Sequence, residues 1–284
     1  MAEQSVFGAK GQALIKVLKG RWNRSNVSRG LVLMGFTIAL ILALGNLGAI
    51  AQLTPQWQIN IASQKKPVVA NPEPTPRQSP SVQFRAIATR NFAPREEMAP
   101  ADPTNYGERF LVDAAGNPVY NEPIVVLHET VGSAQSAINT FQRRNLRDAD
   151  QRSYHGLIRR DGTVVYIVAP EYRAFGAGNS VFEGTSGTET VRTNPSFPPS
   201  VNNFAYHISF ETPSDGRGNQ SRHSGYTRAQ YQSMAWLTAR TGVPRERITT
   251  HQSVDRSGSR RDPRSFDSAL FFSLWQDFVT QMNG

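Results

Sequence analysis

Residues 30–51 read GLVLMGFTIALILALGNLGAIA, 22 residues with no charge and only Thr37 and Asn46 polar. A run of that length spans a bilayer as one helix, so it divides the chain before any other feature is read. The bases Lys10, Lys16, Lys19, Arg21, Arg24 and Arg29 precede it against Glu3 alone. By the positive-inside bias, residues 1–29 form a basic cytoplasmic tail and the rest of the chain is sent across. The segment is apolar all round and has no amphipathic partners nearby, which argues against a buried core helix. Ala49-Ile50-Ala51 before Gln52 has the small-x-small form of a signal-peptidase site, but the charged region ahead is long for a secretory signal. An uncleaved signal anchor in the inner membrane is the expectation, with a secreted protein beginning at Gln52 as its alternative.

Residues 52–103 break the composition again. Pro67, Pro72, Pro74, Pro76, Pro80, Pro94, Pro100 and Pro103 punctuate a stretch almost without apolar periodicity. Such a segment buries too little surface to offset its ordering entropy and reads as an extended linker. The fold is thereby confined to residues 104–284. The chain has no Cys, which excludes a disulfide scaffold and thiolate zinc sites and leaves His and carboxylates as metal ligands. The formal charge of +9 suggests nucleic acid only until it is divided. Five of those charges belong to the first 30 residues, whereas residues 104–284 hold 19 Arg, no Lys and 17 acids. No nucleic-acid partner is expected.

From residue 104 the pattern is that of a folded domain. IVVLH at 124–128 is a short buried strand ending on a histidine. Ser133 caps a helix with Ala134, Ala137, Ile138 and Phe141 on one face. Residues 154–160 and 163–169 flank Asp161-Gly162, a two-residue hairpin signal. Residues 203–212 form another apolar strand. Thr227 caps a helix stopped by Gly242 and Pro244. A last helix carries Leu270, Phe271, Leu274, Phe278 and Met282. The fold class is α/β: a single mixed β-sheet flanked by helices, preceded by the transmembrane helix and the Pro-rich linker.

Five histidines are present. His128 ends the first strand, His251 closes the run Ile248-Thr249-Thr250-His251, and Asp262 follows 11 residues later before Pro263. Two imidazoles and a carboxylate make a three-ligand zinc site with an open fourth position. Spacing alone leaves that reading beside a plainer one, in which the histidines are structural and Asp262 starts a turn. Strand alternation turns His155 away from Tyr154 and marks it structural, separates His207 from Tyr206, and leaves His223 in a Ser/Gly/Arg loop expected to be exposed.

The words IVVLHET, YHGLIRRDGTVVY, RAFGAGN, NNFAYHISFE and THQSVDRSGSRRDPRSF occur in that order. Together they resemble the zinc-dependent N-acetylmuramoyl-L-alanine amidases, the type-2 amidases that share a fold with peptidoglycan recognition proteins. The resemblance covers roughly residues 104–280. It implies zinc ligands at His128, His251 and Asp262, a catalytic tyrosine at Tyr154, and Arg260 where the family usually has an oxyanion-stabilising lysine. The implied substrate is peptidoglycan or a muropeptide, cut at the amide between the lactyl group of N-acetylmuramic acid and L-alanine. With the anchor, it places the domain in the periplasm facing the cell wall.

The chain departs from the family pattern at three places. The glutamate slot of one branch reads Ser209, which leaves Glu211, two residues on and on the same strand face, as a fallback base. Arg260 keeps the charge of a lysine but changes its reach. A family Trp-His pair reads Phe175-Gly176. A binding module of the same fold, recognising muropeptide without cutting it, is the alternative function; the intact ligand set and Tyr154 favour the enzyme.

Overall fold

The structure, a computed structural model, describes residues 92–283. The expected membrane segment 30–51, the tail before it and most of the linker lie outside the described residues; among the described residues no helix is long and apolar enough to cross a membrane. In chain order the strands are β1 Glu96–Met98, β2 Tyr106–Gly107, β3 Ile124–Glu129, β4 Gly156–Ile158, β5 Val164–Tyr166, β6 Arg173–Ala174, β7 Phe182–Gly184, β8 Gly187–Glu189, β9 Ala205–Phe210 and β10 Ile248–Thr250. The helices are α1 Ala134–Phe141, α2 Arg228–Arg240, α3 His251–Val254 and α4 Ser268–Asn283.

Six strands form one mixed sheet in the order β1-β5-β4-β9-β3-β10. Only β4–β5 is antiparallel; it is the Asp161-Gly162 hairpin, with Gly162 at φ 90° in the left-handed region its turn requires. The other pairs are parallel. Parallel strands buried on both faces read as unbroken apolar runs, and every residue of β3 and β9 is buried. Alternation then divides the core. Val125, Leu127, Tyr206, Ile208 and Phe210 face α2 and α4, where Met234, Leu237, Phe271, Trp275 and Phe278 pack. On the opposite face Ile124, Val126 and Ala205 meet the loops between β6 and β9, while Leu157 and Val165 meet α1 through Ile138 and Phe141.

Local signals set the helix boundaries. Ser133 accepts from the Ser136 amide at the start of α1. Thr227 and Gln230 form a reciprocal capping box on α2, a device contributing about 1 kcal/mol. Gly242, at φ 67°, follows the end of α2. One expected boundary moves. β1 pairs in parallel with β5, and the Phe92 ring packs, tilted, against Phe278 of α4 at 5.5 Å. Residues 92–103, read as linker, therefore belong to the folded domain, which begins before residue 104.

Candidate metal centre and active-site cleft

Register explains how the two candidate ligand histidines meet. Thr250 of β10 pairs with Leu127 of β3, so the next residues, His251 and His128, emerge side by side at the carboxyl ends of parallel strands. Ligand sites in open α/β sheets form at those ends. Thr250 caps α3 by accepting from the Ser253 amide, which turns the chain at His251. The loop after α3 is wound around Asp255, which accepts from the amides of Ser257, Ser259 and Arg260. It returns Asp262, joined to Pro263 by a cis peptide bond, beneath both imidazoles.

His128, His251 and Asp262 are all buried, and one ligand atom from each lies within 4.8 Å of the others. His251 Nδ1 is 3.0 Å from Asp262 Oδ2, and His128 Nδ1 is 3.3 Å from the same oxygen. His128 Nδ1 is a buried nitrogen that faces that oxygen without hydrogen-bond geometry. Zinc bonds of ~2.0–2.1 Å at tetrahedral angles would set ligand atoms about 3.3 Å apart, so the donor set fits that ion. Protonation fits as well. Burial, then the neighbouring His251, pushes the His128 pKa down to about 4, leaving a neutral imidazole at neutral pH. Burial works to raise Asp262, but the facing imidazoles of His128 and His251 outweigh it and hold the carboxyl below its ordinary range. Metal ligands must be deprotonated in just this way.

His251 and Asp262 line a cleft of about 750 Å³, together with Tyr154 and Arg260, and His128 lies buried behind them. Tyr154 lies against the His128 ring at 4.6 Å and meets Phe141 edge-on. Burial, then the charge of Asp262, raises its phenol pKa, so it stays protonated. Arg260 is exposed at the cleft rim, and Arg152 and Arg173 stand on its walls. Arg173 lies over the rings of Phe110 and Phe175.

Glu211 is not brought to the cleft. It shares the strand face expected of it, but α1 intercepts its carboxylate: Oε1 accepts from the Ala134 amide and Oε2 from the Arg160 amide, with Arg217 3.7 Å away. Its carboxylate anchors the start of α1. Ser209 pairs with His128 in register and is fully buried. His155 is structural, as expected: its Nδ1 accepts from the His207 amide. His223 is not exposed as expected. Its side chain is fully buried, 3.1 Å from Glu129 Oε2.

Sequence reasoning missed two features. Glu129, next to His128, accepts from Arg264 through both Nε and the backbone amide, and from Thr212, His223 and Tyr226. That hydrogen bond raises the Arg264 pKa. The second is His207, whose Nδ1 lies 2.9 Å from His128 Nε2. Its only sequence signal is its place on the odd-numbered face of β9.

A mixed sheet carrying a His–His–Asp cluster at its parallel strand ends, beside a phenol and a guanidinium, defines an α/β domain with a candidate metal centre in a cleft. The N-acetylmuramoyl-L-alanine amidase family matches residues 117–265, just over half of the sequence, and the chain belongs to that family. Among solved structures it is similar to a selenomethionine derivative of AmpD, at 23% identity over 64% of this chain and 96% of that one, with a TM-score of 0.44. It is also similar to AmpDh3 from Pseudomonas aeruginosa in complex with anhydromuramic pentapeptide (16%, 61% and 62%, 0.39). A third is the amidase LysC from Clostridium intestinale (16%, 67% and 99%, 0.38). None of the curated proteins compared matches the chain.

Proposed function

We propose that the protein is a zinc-dependent amidase that hydrolyses the bond between the lactyl carbonyl of N-acetylmuramic acid and the L-alanine nitrogen of peptidoglycan stem peptides. The observation carrying this reading is the convergence of His128, His251 and Asp262 at the cleft. Zinc held there supplies Lewis-acid polarisation of the scissile carbonyl and makes water acidic enough to attack at neutral pH. The rest falls to the chain's own side chains. Tyr154, kept protonated and packed on His128, donates a hydrogen bond at the reacting centre. Arg260 presents a positive charge from the rim, where negative charge develops on the carbonyl oxygen. Water adds to the carbonyl carbon, the C–N bond breaks, and the proton passes to the leaving amine, giving a lactyl carboxylate and a peptide with a free L-alanine amino group.

The test is mass spectrometry of muropeptides incubated with the purified chain, with zinc or with chelator. Zinc-dependent release of stem peptide beginning at L-alanine is expected. Binding of muropeptide without release by the zinc-loaded protein would instead establish the recognition module. The uncharged run 30–51 and the bases before it support a further part of this reading: an uncleaved anchor in the inner membrane with the domain on the cell-wall side. A mature N-terminus at Gln52 would overturn the anchor.

A further inference from the structure

We infer that His207 is the positioning residue of the metal centre: it accepts a hydrogen bond from the proton-bearing nitrogen of His128 and so fixes which nitrogen of that ring is offered to zinc. This rests on the zinc reading above. On the sheet face shared by β3 and β9, His207 pairs with Val126, one step diagonal to His128. Ser209, directly across from His128, is small, and His207 Nδ1 reaches His128 Nε2 at 2.9 Å. The two nitrogens of His128 are thus committed in opposite directions, Nδ1 to Asp262 and Nε2 to His207.

A neutral imidazole carries one proton, so ligation through Nδ1 requires that proton on Nε2. His128 is fully buried, and a buried N–H without an acceptor is costly. In this reading His207 Nδ1 is the acceptor, which places the His207 proton on its buried, unpartnered Nε2, and the residue is held from three sides. Its backbone amide donates to His155 Nδ1 at 2.9 Å, the His155 ring stacks on it at an interplanar angle of 14°, and Gly176 covers it. A Cβ at Gly176 would lie 2.6 Å from His207 Cγ, so only glycine in this loop leaves room for the imidazole. The chain that lacks an imidazole at 176 carries one at 207 in the space a side chain at 176 would occupy.

Outer-shell partners of metal-ligating histidines typically change metal affinity 10–100-fold. The probe is zinc alone, titrated into the metal-free full-length protein against a competing chelator. His207→Ala is expected to raise the zinc Kd by ~10–100-fold. His207→Asn, whose amide oxygen restores an acceptor, recovers most of that loss. Gly176→Ala, which keeps His207 but displaces its ring, weakens zinc by about tenfold or more. Metal-free thermal melts accompany each variant, because a merely packing role lowers the melt and leaves Kd unmoved. A His207→Ala Kd within about twofold of wild type, or an Asn variant no tighter than Ala at equal metal-free stability, overturns the inference. A wild-type chain that binds no zinc overturns the zinc reading itself.

Discussion

Replacing Arg264 with Met should cost this domain a large part of its stability without touching a ligand. The Arg264 guanidinium and amide both donate to Glu129 Oε1, and its Nη atoms donate to the carbonyls of Gly216, Gly218 and Gln220. The Glu129 side chain is 0% exposed and that of Arg264 6%. In Arg264→Met the carboxylate keeps Thr212, His223 and Tyr226 at 3.1–3.2 Å, along with the backbone amide, but loses its cation. Gly218 and Gln220 lie near solvent, so water replaces the arginine on their carbonyls and the charge dominates. Breaking a buried pair from one side costs about 3–5 kcal/mol. At about 2–4 °C per kcal/mol for a domain of this size, the melting point should fall roughly 6–20 °C. The assay is urea unfolding of the purified chain in chelator, so that metal binding does not enter the difference. A cycle with Glu129→Gln should show the double variant at least ~2 kcal/mol more stable than the sum of the singles predicts. A loss under ~1 kcal/mol, or an additive cycle, would refute the assignment of that energy to an unpaired buried carboxylate.

Four further outcomes follow from the site. His128→Ala should abolish stoichiometric zinc binding and amidase activity together; full zinc occupancy in that variant would break the ligand assignment. Tyr154→Phe should lower kcat by ~10²-fold at unchanged zinc content. By contrast Glu211→Gln should leave kcat within a fewfold while costing about 1–2 kcal/mol through α1, and the reverse pattern in kcat would make Glu211 the catalytic group. The metal-free protein should lose stability in acid: the His128 pKa, about 4 when folded, is below its ordinary 6.5, so the unfolded chain takes up the proton first. The loss begins near pH 6.5; His128 alone contributes roughly 2 kcal/mol of it by pH 5, and the buried His155 and His207, held below the ordinary range as well, add to it; a denaturation midpoint constant from pH 7 to 5 would contradict it.

What was legible in the sequence is what short-range chemistry decides. Asp161-Gly162 made a hairpin, Ser133 and Thr227 capped helices, and the apolar runs 124–128 and 203–212 became the two central strands. The ligand trio was legible only through the family's words, because its assembly is a matter of register: Thr250 opposite Leu127 brings His251 beside His128 from more than a hundred residues away. The errors share that cause. His223 was judged by the Ser/Gly/Arg loop around it, but its partner Glu129 is 94 residues distant. Glu211 was assigned to the right strand face, yet alternation does not reveal that the first turn of α1 arrives there and takes its carboxylate. β1 is Glu-Glu-Met at a sheet edge, with no apolar alternation to distinguish it from the proline-punctuated segment before it.

The same nonlocal packing explains why so many imidazoles sit together without a compensating cluster of acids. His128, His207 and His155 form a row across the sheet face, and beyond His155 lies Arg109, bound to the carbonyls of Pro170, Asn203 and Ala205. Burial pushes both His155 and His207 well below the ordinary histidine range, and neighbouring charge adds to it: Arg109 on His155, His128 on His207. Protonating His155 would set a second cation against Arg109, and protonating His128 or His207 would bury a charge in a medium that screens it poorly. The row therefore stays neutral, and its last ring turns Nδ1 toward Asp262. Asp262 is the only carboxylate among the three clustered ligands, so a divalent cation there is left with a net positive charge. That residual charge is what an electrophilic metal needs to polarise a carbonyl, and a second carboxylate ligand would have diminished it.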